Sequence, residues 1–457
     1  MIRLSLLIVA AGLLAGCAGG RTAAVRHIRT PVAEGLRTEP DFDLEHDPGT
    51  DRSFFSWTSV SGSGASSVSL LCVDAVGREL WRAAPAMARG GAGREFEARI
   101  AASSTSIFTV WDEVAGGSIT LNAEAFGMNG STLPLKDRIY GLSRVSRGSN
   151  VIIPLPGGAA AAAWEDLDPK LDTTYVGVAE LGPGGVRWQR IMGDRSRGER
   201  YMAPVVAPSD DGGVLAAFRL IDNGDRGIVV RKFSADGSAW PIDVQASDAF
   251  GYKSSAQITS NGRGGAYVVW EDGRNGNIDL YAQQISSGGA VMWRSDGVPL
   301  AVTDGNSWNP AIAPDGKGGF FCAWIDDNQG SQWQLKIQRL GPDGRPLWGA
   351  DAVTVCPSDS RQSVPSLVTD GSGGAIVVWN EDRYGPLDIF AQRFSADGAR
   401  LWPAGGAHVD NSGRDHLFPQ VEPDGKGGFL VAWKEKTAGK WAVMAQRLDA
   451  SGTRVWK

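Results

Sequence analysis

The chain has no run of about twenty apolar residues, no basic cluster, and only 4 His and 4 Cys in 457 residues. Each shortage excludes something. A membrane-spanning helix needs about 20 apolar residues, and the longest run here, Leu4 to Leu14, has eleven. With 45 basic against 51 acidic residues and no basic stripe, nucleic acid is not expected as a partner. The sparse histidines show no HExxH-type spacing, no GxSxG is present, and the Gly-rich stretches lack the Lys-Ser/Thr of a phosphate-binding loop. No catalytic residue, metal or cofactor is therefore expected. Helical 3.6-residue periodicity is absent over any useful length.

What the chain does have is a repeat. A Trp ends an apolar run at Trp57, Trp111, Trp164, Trp270, Trp324, Trp379 and Trp433, with Phe218 standing in once, at gaps of 52 to 55 residues. A second Trp closes each unit at Trp81, Trp188, Trp240, Trp293, Trp348, Trp402 and Trp456, and only the second unit differs, with Leu133. Two independent markers on one beat give eight copies. Runs such as Ala266 to Trp270 and Phe429 to Trp433 are continuously apolar, as strands buried on both faces should be. Asp-Gly-x-Gly-Gly turns at Asp315, Asp370 and Asp424, and a related one at Asn261, supply the positive φ of tight hairpins. The expected fold is all-β: an eight-bladed β-propeller of four-stranded antiparallel blades over residues 27–457.

The last unit stops at Trp456-Lys457, without the strand that follows the closing Trp elsewhere (Val298 to Val302 after Trp293). A matching segment, Ile28 to Val32, precedes the first unit. The N-terminal segment is thus expected to add a strand to the last blade and close the ring. An open β-solenoid is the alternative, and it would need polar capping units at both ends.

Residues 1–17 read as a targeting segment, with Arg3 ahead of the apolar run and Ala15-Gly16 leading to Cys17. Leu14-Ala15-Gly16-Cys17 resembles the lipobox of bacterial lipoproteins, which implies lipidation of Cys17 and a membrane anchor. Ala18 after the Cys resembles outer-membrane lipoproteins, if the cell is Gram-negative. An ordinary secretory signal is the alternative. Residues 18–26 would form a tether.

Several features recur in most units and are expected to serve the fold. These are the acidic residues after the run-ending Trp (Asp112-Glu113, Glu165-Asp166, Glu271-Asp272, Asp326-Asp327, Glu381-Asp382, Glu435) and the Gln-Arg pairs (Gln338-Arg339, Gln392-Arg393, Gln446-Arg447). Cys322 reads as a small buried residue, and a Cys322–Cys356 bridge is an alternative. His408, Asp410, Asp415 and His416 share one connection, where a metal site is conceivable but a solvated loop is expected. One row does vary between units. Tyr201, Lys253, Gln362 and His416 stand three residues before the start of each first strand proper, with Trp308 beside the row, and these five are the candidate contact surface.

Residues 28–457 also resemble a family of bacterial secreted repeat proteins with units like PxIxxDGxGGxxVxWxDxRxxxxDIYxQRxDxxGxxLW, best matched by Pro365–Trp402 and Pro310–Trp348. That resemblance implies a propeller and export, without a shared activity. Leu448 to Trp456 looks like the tryptophan-docking motif of eight-bladed quinoprotein-type propellers, although the units here are longer. Together these readings imply a monomeric, lipid-anchored protein of the cell envelope, binding an envelope protein or a carbohydrate without catalysis. The alternative is an envelope enzyme, a glycan hydrolase or lyase or a quinone-dependent dehydrogenase, using the central funnel.

Overall fold

The computed structural model describes residues 30–456, apart from 37–38, 61–65, 85–93, 116–117, 136–138, 140–143, 146–149, 169–172, 194–198, 223–224, 328–332 and 411. Cys17 and the residues expected to form a targeting segment and tether lie outside the described residues. Eight antiparallel sheets follow one another along the chain, numbered here as blades 1 to 8. Blade 7 is typical, with an inner strand Ser366–Thr369, a second Ala375–Glu381, a third Asp388–Phe394 and an outer Ala407–Asp410. Blade 3 has a fifth strand, because Arg144–Val145 and Val151–Leu155 both pair with its second strand.

Strand alternation explains why the apolar runs are unbroken. In the second strand of blade 6, Phe320, Cys322 and Trp324 pack toward blade 5, whereas Phe321, Ala323 and Ile325 pack toward blade 7. Each blade is a layer buried on both sides. Among the described residues there are eight such apolar layers between eight blades. An open stack of eight sheets would have seven, so the ring is closed.

The closing layer joins blade 8 to blade 1, with Val32, Leu430, Val443 and Trp456 against Phe42, Phe55 and Leu71. Its outer strand is the N-terminal segment Thr30–Leu36, paired antiparallel with Lys440–Leu448. The strand lies a few residues later than the sequence suggested, and Ile28 and Arg29 are outside the described residues. The linear solenoid is thereby excluded.

The repeated residues hold each blade to the next. In blade 7, Asp370 Oδ1 accepts the backbone N–H groups of Ser372 and Gly374, both at 2.8 Å. Its Oδ2 accepts from Arg393, which also donates to Ala450 O of blade 8 at 3.0 Å. Gln392 Oε1 accepts the Trp402 amide at 3.1 Å, fixing the closing Trp. The Trp402 indole then donates to Ala450 O at 3.3 Å, as Trp348 does to Ala396 O at 2.9 Å. The seam follows the same rule: Trp456 donates to Ala75 O of blade 1 at 3.0 Å, and Arg447 meets Asp51 at 2.7 Å. The last glycine of each turn serves close approach and not positive φ, since a Cβ on Gly374 would stand 2.1 Å from Phe394 O.

The sheet order puts the inter-blade connections and the second-to-third strand loops at one end of the ring, termed the upper face. The Gly-rich hairpins lie at the other end.

Candidate functional site

The expected contact row does start the inner strands at the upper face, but it does not form a surface. Lys253, Gln362 and His416 are fully buried and Tyr201 nearly so. Each of the first three sits opposite an acidic residue of its own second strand: Lys253 opposite Asp272, Gln362 opposite Glu381, His416 opposite Glu435. The row is therefore the inward half of a buried polar pair, and the contact-surface expectation is corrected for these residues. Tyr201 faces Leu220 instead, and its hydroxyl reaches Glu199 at 3.1 Å and Asp243 at 3.3 Å. Burial beside those carboxylates pushes the phenol well above its ordinary range.

A bulge explains the inward turn. The inner-strand register slips between Met202 and Val205, Ser254 and Gln257, Trp308 and Ala311, and Leu417 and Gln420. At each slip one residue takes positive φ: Ala203, Ser255, Asn309 and Phe418. A β-bulge re-aims the side chains on either side of it. In blade 8 it leaves Phe418 61% exposed while His416 is enclosed.

The acidic pairs divide two structural tasks. The first member reaches the next blade's bulge: Glu165 Oε2 accepts the Ala203 amide at 3.0 Å and Glu271 Oε1 the Asn309 amide at 2.8 Å. The second holds its own blade: Asp272 accepts from the Trp270 indole at 2.8 Å and pairs with Arg274 at 2.5 Å. Those contacts hold the Asp272 carboxyl below its usual range even though burial opposes them. Glu381, the first of its acidic pair but likewise two residues after its Trp, takes this own-blade task with Trp379 and Arg383.

One upper-face cluster departs from the repeat. At the seam of blades 7 and 8, His416 Nε2 lies 2.9 Å from Asp410 and 3.8 Å from Glu435. Its Nδ1 lies 3.5 Å from Asp388, whose other oxygen is 3.2 Å from His408. Asp388, Asp410, His416 and Glu435 are all buried. Burial pushes the Asp388 carboxyl up, although both imidazoles favour its charge. The expected solvated loop is thus corrected: the outer strand of blade 7 runs to Asp410 and packs beside the inner strand of blade 8. Asp415 does not join the cluster and accepts the Leu387 amide at 3.1 Å. Cys322 and Cys356 are free thiols on opposite sides of blade 6, which rules out a bridge between them.

Exposed aromatic rings were the feature sequence reasoning missed. Among the described residues, the exposed large aromatics are Phe250, Tyr252, Trp333, Tyr384 and Phe418, and all five stand on upper-face loops or inner-strand starts of blades 4 to 8. Trp308, the half-buried member of the candidate row, meets Trp333 edge-on at 5.5 Å. Arg361 lies over Trp333 and Lys434 over Phe418. Beside Phe418 is a cavity of about 290 Å³ lined by Val364, Leu387, Leu417 and Pro419. A larger cavity of about 650 Å³ opens among the Gly-rich turns of blades 4 to 6 at the opposite end. Repeated turn residues wall it, so it follows from the scaffold.

Inner strands carry a third ionisable group at the ring seam, where Asp43 and Glu45 of blade 1 meet Glu422 of blade 8. Burial, reinforced by Asp43, pushes Glu422 up to about 8, and burial with its acidic neighbours pushes Glu45 well above its ordinary value. The folded chain keeps the Glu422 proton to higher pH than the unfolded chain does, so stability falls as pH rises from about 4.5 toward about 8. Glu422→Gln is expected to make that decline shallower by roughly 2 kcal/mol, a figure reduced for channel water. Denaturation midpoints across that range check it, and an unchanged slope would contradict it.

No protein-family model matches the sequence, and no curated protein matches it. Solved structures are similar to this chain only at low identity and with TM-scores below 0.5. Polysaccharide lyase Uly1 is 10% identical with a TM-score of 0.49, over 77% of this chain and 89% of that one. A prolyl endopeptidase is 16% identical with a TM-score of 0.48, over 88% and 54%. The β-propeller domain of the Trilobed protease from Pyrococcus furiosus is 8% identical with a TM-score of 0.45, over 78% and 94%. At such distances no substrate or activity carries over. The class is defined by this chain's own sheets: an eight-bladed β-propeller with an aromatic arc on its upper face.

Proposed function

We propose that this chain is a lipid-anchored propeller of the bacterial cell envelope that binds another envelope component, a protein or a glycan, through the upper face of blades 4 to 8. The observation that carries the binding half is the concentration of exposed aromatic rings there. Aromatic side chains are enriched where surfaces bind partners and supply much of the binding energy. Repeated ionisable groups, by contrast, are spent on holding blades together. A glycan-active enzyme is the second reading, favoured by the confinement of His408, Asp410 and His416 to one seam. The complete burial of His416 counts against it, because a substrate would not reach that imidazole.

The anchor rests on the lipobox-like Leu14 to Cys17. Several acyl chains, at about 0.8 kcal/mol per buried CH₂, would keep the ring at the membrane. Cys17→Ser is expected to move the protein from the membrane to the soluble fraction and to abolish incorporation of a labelled fatty acid. Unchanged membrane partition without label in the wild type would refute the anchor.

A further inference from the structure

We propose that His416, Asp410 and Glu435 form a site for one divalent first-row transition-metal ion, zinc in the first instance, at the upper end of the seam between blades 7 and 8. One donor atom from each of the three lies within 4.8 Å of the others, and all three side chains are buried. With metal–ligand bonds near 2.1 Å, neighbouring donors in a coordination shell stand about 3.0–3.4 Å apart. The 2.9 Å between His416 Nε2 and Asp410 Oδ2 is close to that spacing. Glu435 Oε2, 3.8 Å from the same nitrogen, needs a sub-ångström move to join. Ser412 Oγ, 2.9 Å from Nε2, is in reach of a fourth position. One imidazole with two carboxylates suits zinc and its neighbours, whereas calcium and magnesium prefer all-oxygen shells.

The second ring nitrogen supplies an independent observation. A metal-bound imidazole almost always gives its other N–H to a carboxylate. His416 Nδ1 is buried and makes no hydrogen bond, yet it faces Asp388 Oδ1, itself buried and unbonded, at 3.5 Å. Asp388 is tied from behind by His408, and Glu435 Oε1 by Arg414 at 2.8 Å. These groups stand where an outer shell belongs. Three carboxylates, Asp388, Asp410 and Glu435, share this seam, and Arg414 pairs with Glu435. A divalent ion would offset two of these negative charges.

The ion would tie the end of blade 7's outer strand, through Asp410, to the inner and second strands of blade 8. It would therefore fix the strand that carries Phe418, independently of what the aromatic arc binds.

The test uses the untagged full chain, stripped with EDTA, exchanged into metal-free buffer, and titrated separately with zinc, manganese and calcium chloride. Calorimetry, metal analysis after desalting and melting temperature are the readouts. Stoichiometric retained zinc, a higher melting temperature with zinc and no response to calcium are expected. Glu435→Gln should lose retention, and Asp388→Asn should weaken zinc binding by about 10- to 100-fold. His416→Gln could fail to fold, but the wild-type readouts stand without it. Wild-type protein that retains no zinc and melts at the same temperature with or without it would overturn the site. Zinc held equally well by Glu435→Gln and Asp388→Asn would place the ion elsewhere and overturn it too.

Discussion

Replacing Glu381 by leucine is expected to lower the free energy of unfolding by about 3–5 kcal/mol, the range for breaking a buried ion pair from one side. Glu381 is fully buried, and four donors converge on it. The Trp379 indole donates at 2.9 Å and Gln362 at 3.4 Å, while Arg383 and Ser358 also bind its carboxylate. Leucine leaves the indole N–H without an acceptor and a largely enclosed guanidinium without its counter-charge. Arg383 would keep Gly405 O at 2.9 Å and its position over the Phe390 ring, which do not replace a carboxylate. The double variant Glu381→Leu with Arg383→Met should recover a large part of the loss, since it removes the stranded charge as well. Chemical denaturation of the three variants reads both numbers. Equal stability of Glu381→Leu and wild type would mean that the acidic loops do not hold the blades. They would then have to be reconsidered as a binding ring.

The blade count and the ring were legible because their signals are local and repeated. A positive-φ turn needs its glycine, and a strand buried on both faces needs an unbroken apolar run, so both recur every 52 to 55 residues. Most closing tryptophans were legible for the same reason, each reaching a carbonyl one blade on, whereas Trp188 donates to Glu180 of its own blade at 2.9 Å. The site was less so. Spacing placed Lys253 and His416 at the upper ends of inner strands but could not show the bulge that follows. That bulge turns the row inward and brings out Phe418. A signal was present: the residue just before each inner-strand Pro varies from Ala203 to Asn309 to Val364 to Phe418. Only part of the His416 cluster was legible: His408, Asp410 and His416 share one connection, but Asp388 and Glu435 stand at no motif spacing from them. Only the packing of blade 7 against blade 8 unites them.

The second large effect is expected on binding. Truncating a well-packed aromatic anchor at an interface costs about 2 kcal/mol or more, so losing three rings should weaken binding by at least 10³-fold. Phe250, Tyr384 and Phe418 are 84%, 66% and 61% exposed, which means their removal leaves the blade cores untouched. Replacing all three with serine should therefore leave the melting temperature near that of the wild type. A matched control exists at the third-to-outer-strand turns, where Ile242, Leu347 and Leu401 are also exposed.

The decisive measurement is capture from solubilised envelope membranes with three immobilised baits: the wild type, the Phe250/Tyr384/Phe418 serine variant and the Ile242/Leu347/Leu401 serine variant. Protease and periodate treatment of the membranes would tell a protein partner from a glycan. The upper-face account predicts that material held by the wild type is kept by the turn variant and lost by the aromatic variant. Retention by the aromatic variant together with loss from the turn variant would contradict it.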